Sequence, residues 1–236
     1  MAEYKAASGN TDFRISKLTW LALLTFLVFY PGISMLGFTT DPGELLRSMD
    51  EAMLMFVLIV TVLFQWFLFL INYVALFRER TGMAGIGLVK PRMVDFAWAI
   101  AFVLAANLVL SSLAWVLAQI GLPVSGEIGL MVPKGIAGKV VWVVVSFTAG
   151  FCEEVGFRGY LMTRLRLVFK TKTWIVPVII SSLAFGVCHA YQGVPGLILL
   201  TIYGAMFSLL YIRTGRLWPL IIAHSLQDLG ALFFPQ

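Results

Sequence analysis

Charge is scarce in this sequence. Only 12% of its 236 residues are Asp, Glu, Lys or Arg, against 60% hydrophobic, and the mean hydropathy is +0.93. A soluble globular domain is about 25% charged and about 45–50% apolar. Soluble classes are therefore excluded and a polytopic membrane protein is implied. Cysteine is nearly missing: Cys152 and Cys188 lie in apolar runs, so no disulfide framework is expected and both read as small apolar filler. Histidine is equally rare, with His189 and His224 the whole complement. No internal repeat or low-complexity tract is found, which disfavours a transporter built from two related halves. The polar N-terminus MAEYKAASGNTDFR has no apolar core followed by an A-x-A site, so a cleavable signal peptide is not expected.

What the chain has is long apolar runs. Seven of them meet or approach the roughly 20 residues that cross a hydrocarbon core: 18–38, 52–77, 95–121, 138–163, 173–190, 195–212 and 217–234. The expected fold is all-α, a polytopic transmembrane helix bundle of about seven spans. Residues 78–94 and 121–138 are the places where an eighth, re-entrant segment would fit. The last three runs are short and tightly linked, which makes them antiparallel neighbours. Pro31, Pro177 and Pro195 mark breaks or kinks within or beside spans. Trp142, Trp174 and Trp218 read as interfacial anchors.

Lysine and arginine are distributed unevenly. With the N-terminus inside, thirteen of the seventeen fall on the cytoplasmic side, from Lys5 and Arg14 to Arg213 and Arg216. Arg47, Lys134 and Lys139 fall outside, and Arg158 lies within the fourth span. This bias fixes a cytoplasmic N-terminus. It also explains the net charge of +5 as a topology signal, with no nucleic-acid partner.

Ionisable residues inside the spans are few: Glu153, Glu154 and Arg158 in the fourth, His189 in the fifth, His224 and Asp228 in the seventh. Asp95 sits near the start of the third and reads as interfacial. Buried charges in lipid must be paired, metal-bound or solvated by an internal cavity. Glu154 and Arg158 are i, i+4 and can form an ion pair. Glu153 is turned by about 100° from Glu154 and points elsewhere. His224 and Asp228 are again i, i+4, as are Phe185 and His189, so the Phe185 ring can pack over the imidazole. Glu153, held apart from the ion pair, is free to act as a base. One histidine can share its water and another can stabilise an oxyanion, which suits hydrolysis of an amide. Gly150, Gly156 and Gly159 around the glutamates would let helices approach closely.

Depth poses a difficulty. At ~1.5 Å per residue, Glu153 lies roughly 16 Å from Arg164, His224 about 10 Å from Leu217 and His189 about 24 Å from Thr173. Straight, untilted helices would not bring these together. A bend at Pro177 or a later start of the fifth span is required.

The set EEVGFR (153–158), FGVCH (185–189) and HSLQD (224–228) resembles the three motifs of the CAAX prenyl endopeptidase and bacteriocin-processing family of intramembrane proteases. In that family they read E-E-x3-R, F-x3-H and H-x3-N or D. The resemblance covers about 138–234, which would supply the catalytic core helices of a single integral membrane domain, 1–236. Residues 18–121 would be accessory spans. It implies that Glu153 activates water, that Glu154 and Arg158 brace the motif, that Phe185 supports His189, and that His189 shares the water. His224 and Asp228 would support the oxyanion or bind a metal. Glu153, His189, His224 and Asp228 are then the candidate ligands for Zn²⁺ with an open position, although no HExxH is present. Asn is typical of prenyl-processing members at the last position. An ionised Asp228 only accepts hydrogen bonds, which puts the donor role there in doubt.

The implied function is an intramembrane endopeptidase in a multi-pass protein of the bacterial plasma membrane, with its cavity opening toward the cytoplasm. The substrate would be a membrane-associated peptide, prenylated at its C-terminus or a bacteriocin-type leader. The rivals are a non-catalytic scaffold or bacteriocin self-immunity protein that keeps the fold, and a transporter using the same residues as a proton relay.

Overall fold

The computed structural model describes residues 15–38, 47–124, 129 and 131–233, and no strand occurs among them. Lys5 and Arg14, counted above, lie outside the described residues, as does the end of the 217–234 run. Seven helices occupy the seven apolar runs. Helix α1 has three parts, Lys17–Leu24, a π-helical turn Thr25–Phe29, and Tyr30–Phe38. Helix α2 is Glu51–Arg78 and α3 is Met93–Gln119. Helix α4 is Ile136–Glu153, a π-helical segment Glu154–Leu161, and Met162–Val168. Helices α5, α6 and α7 are Ile175–Val187, Gly193–Thr214 and Trp218–Gly230.

Five of these stretches are long and apolar enough to cross a membrane. Helices α5 and α7 have 13 residues each, or ~20 Å, short of the ~30 Å hydrocarbon core. The chain is an integral membrane protein whose helices are therefore not all full spans.

Helix α4 is the centre of the bundle. Every residue of its segment Glu154–Leu161 is buried, whereas α2 and α3 turn most of their surface outward. Small residues make this enclosure possible. A side chain at Gly150 would meet the Ser225 hydroxyl, with Ile221 O at 2.9 Å and Ser225 N at 3.0 Å, so α4 and α7 pack backbone against backbone there. A side chain at Gly156 would strike the Phe26 ring of α1.

The connection between α2 and α3 folds inward over the helix ends. It forms a 3₁₀ turn, Met83–Ile86, with Ile86 fully buried. Gly87 adopts φ +87° against Gly215 O, a conformation that disfavours any side chain. Its carbonyl accepts from Leu217 N at 3.0 Å, and Val89 O accepts from Trp218 Nε1 at 2.6 Å. This inward fold lies in one of the two places reserved for a re-entrant segment.

It also resolves the depth difficulty. Leu217 packs beside Ile86 at the level of Gly159, well inside Arg164 on α4. Helix α7 thus starts deeper than α4 ends, and Leu217 and Arg164 are not a common baseline. Helix α5 meets α4 at Phe157, whose carbonyl accepts from Ser181 Oγ at 3.1 Å. No bend at Pro177 is needed. Pro177 and Pro195 occupy first turns, where proline is tolerated. Only Pro31 marks an irregularity, following the π turn of α1, where its ring would otherwise clash with the preceding turn.

Several interfacial expectations give way to burial. Asp95 is fully buried and takes a fork from Arg216, Nε to Oδ1 and Nη2 to Oδ2, both 2.7 Å. Arg164 is buried and reaches Glu79 Oε2 through Nε at 2.9 Å and Nη2 at 2.5 Å. Glu79 Oε1 also accepts from Thr19 Oγ1 (2.7 Å) and Tyr160 OH (2.8 Å), tying α1, α2 and α4 together at the basic end. Trp142, expected as an anchor, is buried near the opposite end and donates Nε1 to Asp228 O at 3.0 Å.

The Gly150 contact yields a prediction. Gly150→Val should cost about 1–3 kcal/mol by overpacking the α4–α7 seam. Gly32→Ala, at a site with nothing within 4 Å, should be neutral or stabilising by up to about 1 kcal/mol. Thermal unfolding of the two variants in detergent, followed by helical circular dichroism, checks the contrast.

Candidate active site

The three polar clusters meet around His224. Its Nδ1 lies 2.8 Å from Glu154 Oε1, and its Nε2 lies 3.9 Å from Glu153 Oε2 and 3.7 Å from Asp228 Oδ2. A carboxylate only accepts, so Nδ1 carries the proton and donates it to Glu154. The expected i, i+4 partner, Asp228, is thus a neighbour at 3.7 Å without a hydrogen bond. The two adjacent glutamates do diverge, but they arrive at the two nitrogens of one imidazole. The π segment begins at Glu154, and such wide turns are often found at functional sites.

Arg158 is completely buried. Its Nη1 donates to Glu154 Oε1 at 2.8 Å and its Nη2 to Gly204 O of α6 at 3.3 Å. The guanidinium lies over three rings, with centroids at 4.2 Å (Phe185), 5.0 Å (Phe207) and 5.8 Å (Phe157). Aromatic faces supply the negative potential that a cation removed from water needs. The Glu154–Arg158 pair expected from spacing is present, and Glu154 Oε1 takes donors from both Arg158 and His224.

His189 sits two residues past the end of α5. Its Nδ1 donates to Phe185 O at 2.8 Å, which leaves Nε2 as the nitrogen with a lone pair. Phe185 packs over it as spacing required, centroids 4.7 Å apart, and also stands 6.3 Å from the His224 ring. One buried phenylalanine therefore touches all three motifs. Phe207 of α6 stacks on His224 at 5.4 Å and Tyr203 lies at 6.4 Å.

Glu153 reaches away from the ion pair. Its Oε1 accepts from Gln65 Nε2 of α2 at 2.8 Å and faces Tyr30 OH of α1 at 3.5 Å. Its Oε2 is buried and has no hydrogen-bond partner among the described residues. Gln65 and Tyr30 were not anticipated. The signal was an amide in the middle of a 28-residue apolar helix, but only ionisable residues had been sought. Cys152 and Cys188 are free and buried beside the motifs, consistent with filler.

The open member of the cluster is Asp228, whose side chain is 30% exposed against 6% for Glu153 and His224. It lies toward the Trp142 end, with Leu54 and Leu58 of α2, not toward the basic loops. This exposure lies away from the basic side, because α7 starts at the inward-folded α2–α3 connection and descends from it. For a metal, the donor types are right. Yet no group of three His, Cys, Asp or Glu side chains among the described residues is arranged to hold an ion.

Comparison with known proteins follows this geometry. Residues 135–230 match the family model described as Type II CAAX prenyl endopeptidase Rce1-like. This is the family the three motifs indicated. A curated relative, "Putative membrane peptidase YdiL" of Bacillus subtilis (strain 168), is 33% identical over 86 residues. That alignment covers 36% of this chain and 33% of the relative. The chain thus matches about a third of the relative's length. No solved structure matches.

The buried pair makes a second prediction. Arg158→Met should cost about 3–5 kcal/mol, since it strands Glu154 in the interior. Adding Glu154→Gln should recover part of that loss, because both charges are then gone. Unfolding of the two single variants and the double variant in detergent checks the coupling.

Proposed function

We propose that this protein is an intramembrane endopeptidase hydrolysing a peptide bond of a membrane-associated substrate, with water activated by Glu153. The observation that carries this is the state of the Glu153 carboxylate. One oxygen is held by Gln65; the other is buried, without a hydrogen bond, and 3.9 Å from an imidazole nitrogen. That separation is too long for a direct bond and leaves the carboxylate oxygen unpaired beside the imidazole. The match to a peptidase family over the same residues supports the reading.

The chemistry runs through this chain's own side chains. Glu153 Oε2 takes a proton from the water as its oxygen attacks the scissile carbonyl. The C–N bond then breaks, and Glu153 returns the proton to the leaving amine. His189 Nε2 accepts the water's second hydrogen and aligns its lone pair. His224 is braced by Glu154, and when Nε2 carries its proton it donates to the oxyanion. Asp228 Oδ2 lies 3.7 Å from that Nε2, on the more exposed side of the cluster. The basic end is taken as cytoplasmic. The substrate classes are a C-terminally prenylated peptide of CAAX type and a bacteriocin-type leader.

Purified protein in detergent, offered a farnesylated CAAX peptide and an unrelated transmembrane peptide, tests this. Cleavage by wild type should fall at least about 10³-fold in Glu153→Gln and about 10²-fold or more in His189→Ala, with folding retained. Activity should persist in chelator. Loss on chelation restored by added Zn²⁺ would instead assign an ion to the histidines. Unchanged cellular behaviour of Glu153→Gln, with neither peptide cut, would favour a non-catalytic scaffold.

A further inference from the structure

We infer that Gln65 and Tyr30, on the first two helices, are positioning residues that aim the Glu153 carboxylate, so that α1 and α2 belong to the catalytic machinery. This rests on the role proposed for Glu153. Gln65 lies 88 residues from Glu153 and Tyr30 lies 123 residues away. Their meeting at one oxygen is a product of the fold and not of local spacing.

The orientation of the Gln65 amide is dictated by its partner. A carboxylate has no proton to give in its ionised form, so the NH₂ faces it and the carbonyl oxygen turns away. That carbonyl oxygen is buried and has no hydrogen-bond partner among the described residues. Asn72, two turns further along α2, shows the local alternative: its amide donates to Leu68 O of its own helix at 3.0 Å, and its carbonyl oxygen is likewise buried without a partner among the described residues. What sets Gln65 apart is the destination of its donor, which crosses to another helix and ends on the Glu153 carboxylate.

The benefit is angular. A glutamate has three side-chain torsions, and the backbone position of Glu153 does not by itself fix either oxygen. Holding Oε1 at 2.8 Å leaves Oε2 as the oxygen facing His224 Nε2. Tyr30 limits rotation about the same bond from the α1 side at 3.5 Å. Its ring is itself fixed edge-on against Phe64 of α2, centroids 5.5 Å apart, and lies 6.3 Å from Phe157. A misplacement of about 1 Å in such a group can lower a rate by about 10²-fold.

The test compares Gln65→Leu, Gln65→Met and Tyr30→Phe with wild type and Glu153→Gln, using whichever of the two peptides above is cut. Gln65→Met keeps the volume and is the second variant should leucine disturb folding. Positioning predicts a kcat lowered about 10–100-fold at Gln65 and several-fold at Tyr30. KM should stay within about twofold and thermal stability should fall only modestly, because the Glu153 oxygen loses its amide donor while the unmet Gln65 carbonyl is removed with it. Gln65 variants with kcat within twofold of wild type, beside an inactive Glu153→Gln, overturn the inference and leave the proposed function standing. A kcat loss matched by a loss of folded protein in both Gln65 variants also overturns it, in favour of a structural role. A Glu153→Gln that cleaves like wild type overturns both readings.

Discussion

The cation of Arg158 is the constraint on which the rest of this bundle depends. A guanidinium with no exposure, deep in an apolar chain, needs a countercharge and polar or aromatic partners, which Arg158 finds at both Nη atoms although its Nε has none among the described residues. Glu154 supplies the countercharge from one turn away, Gly204 supplies a carbonyl, and Phe185, Phe207 and Phe157 supply ring faces. These contacts come from α4, α5 and α6, so satisfying one charge fixes three helices relative to each other. The fourth follows through His224, which donates to the same oxygen of Glu154. Helix α7 is thereby referenced to the ion pair, and its imidazole is held by a group that is itself immobile.

That arrangement divides the labour between adjacent carboxylates. Glu154 takes two charged or polar donors on Oε1, from Arg158 and His224, while its Oε2 is buried without a partner among the described residues, and protonating it would weaken the pair. Glu153 is directed away by the turn of the helix and meets neutral donors instead of a cation. Neutral donors hold a carboxylate in place without cancelling its charge, which leaves it able to accept a proton. An arginine in place of Gln65 would have held the group equally well but paired its charge, and the base role proposed for Glu153 needs that charge unpaired. The widened turn starting at Glu154 lets both carboxylates bracket one imidazole.

Much of this was legible in the sequence because the signals were local. Seven apolar runs became seven helices, and the i, i+4 spacings of Glu154–Arg158 and Phe185–His189 gave contacts as expected. The spacing of His224 and Asp228 gave proximity at Nε2, 3.7 Å, without a hydrogen bond, while Glu154 takes Nδ1. Gln65 and Tyr30 were invisible to local reasoning: a single amide or phenol in an apolar run has no periodic partner. The depth problem was also non-local. It vanished once the α2–α3 connection was seen to fold over Leu217, and nothing in the α7 sequence announces that.

The two short helices give the site its access. A full-length α7 would carry apolar side chains past Asp228 and close the cluster on every side. Ending at Gly230, with Trp142 donating to the Asp228 carbonyl, it leaves that carboxylate 30% exposed while Glu153 and His224 stay enclosed. Helix α5 likewise stops at Val187, which places His189 on the following turn, partly open. The polar groups therefore form a gradient, from the sealed Arg158 through the nearly sealed Glu153 to the open Asp228. The hydrolysis proposed above would need this ordering. The charges that hold the fold must be dry, because water would weaken them. The group that handles water must sit one step from the opening. Reversing the order, with the ion pair at the mouth and the base at the dry end, would lose both the rigidity and the water.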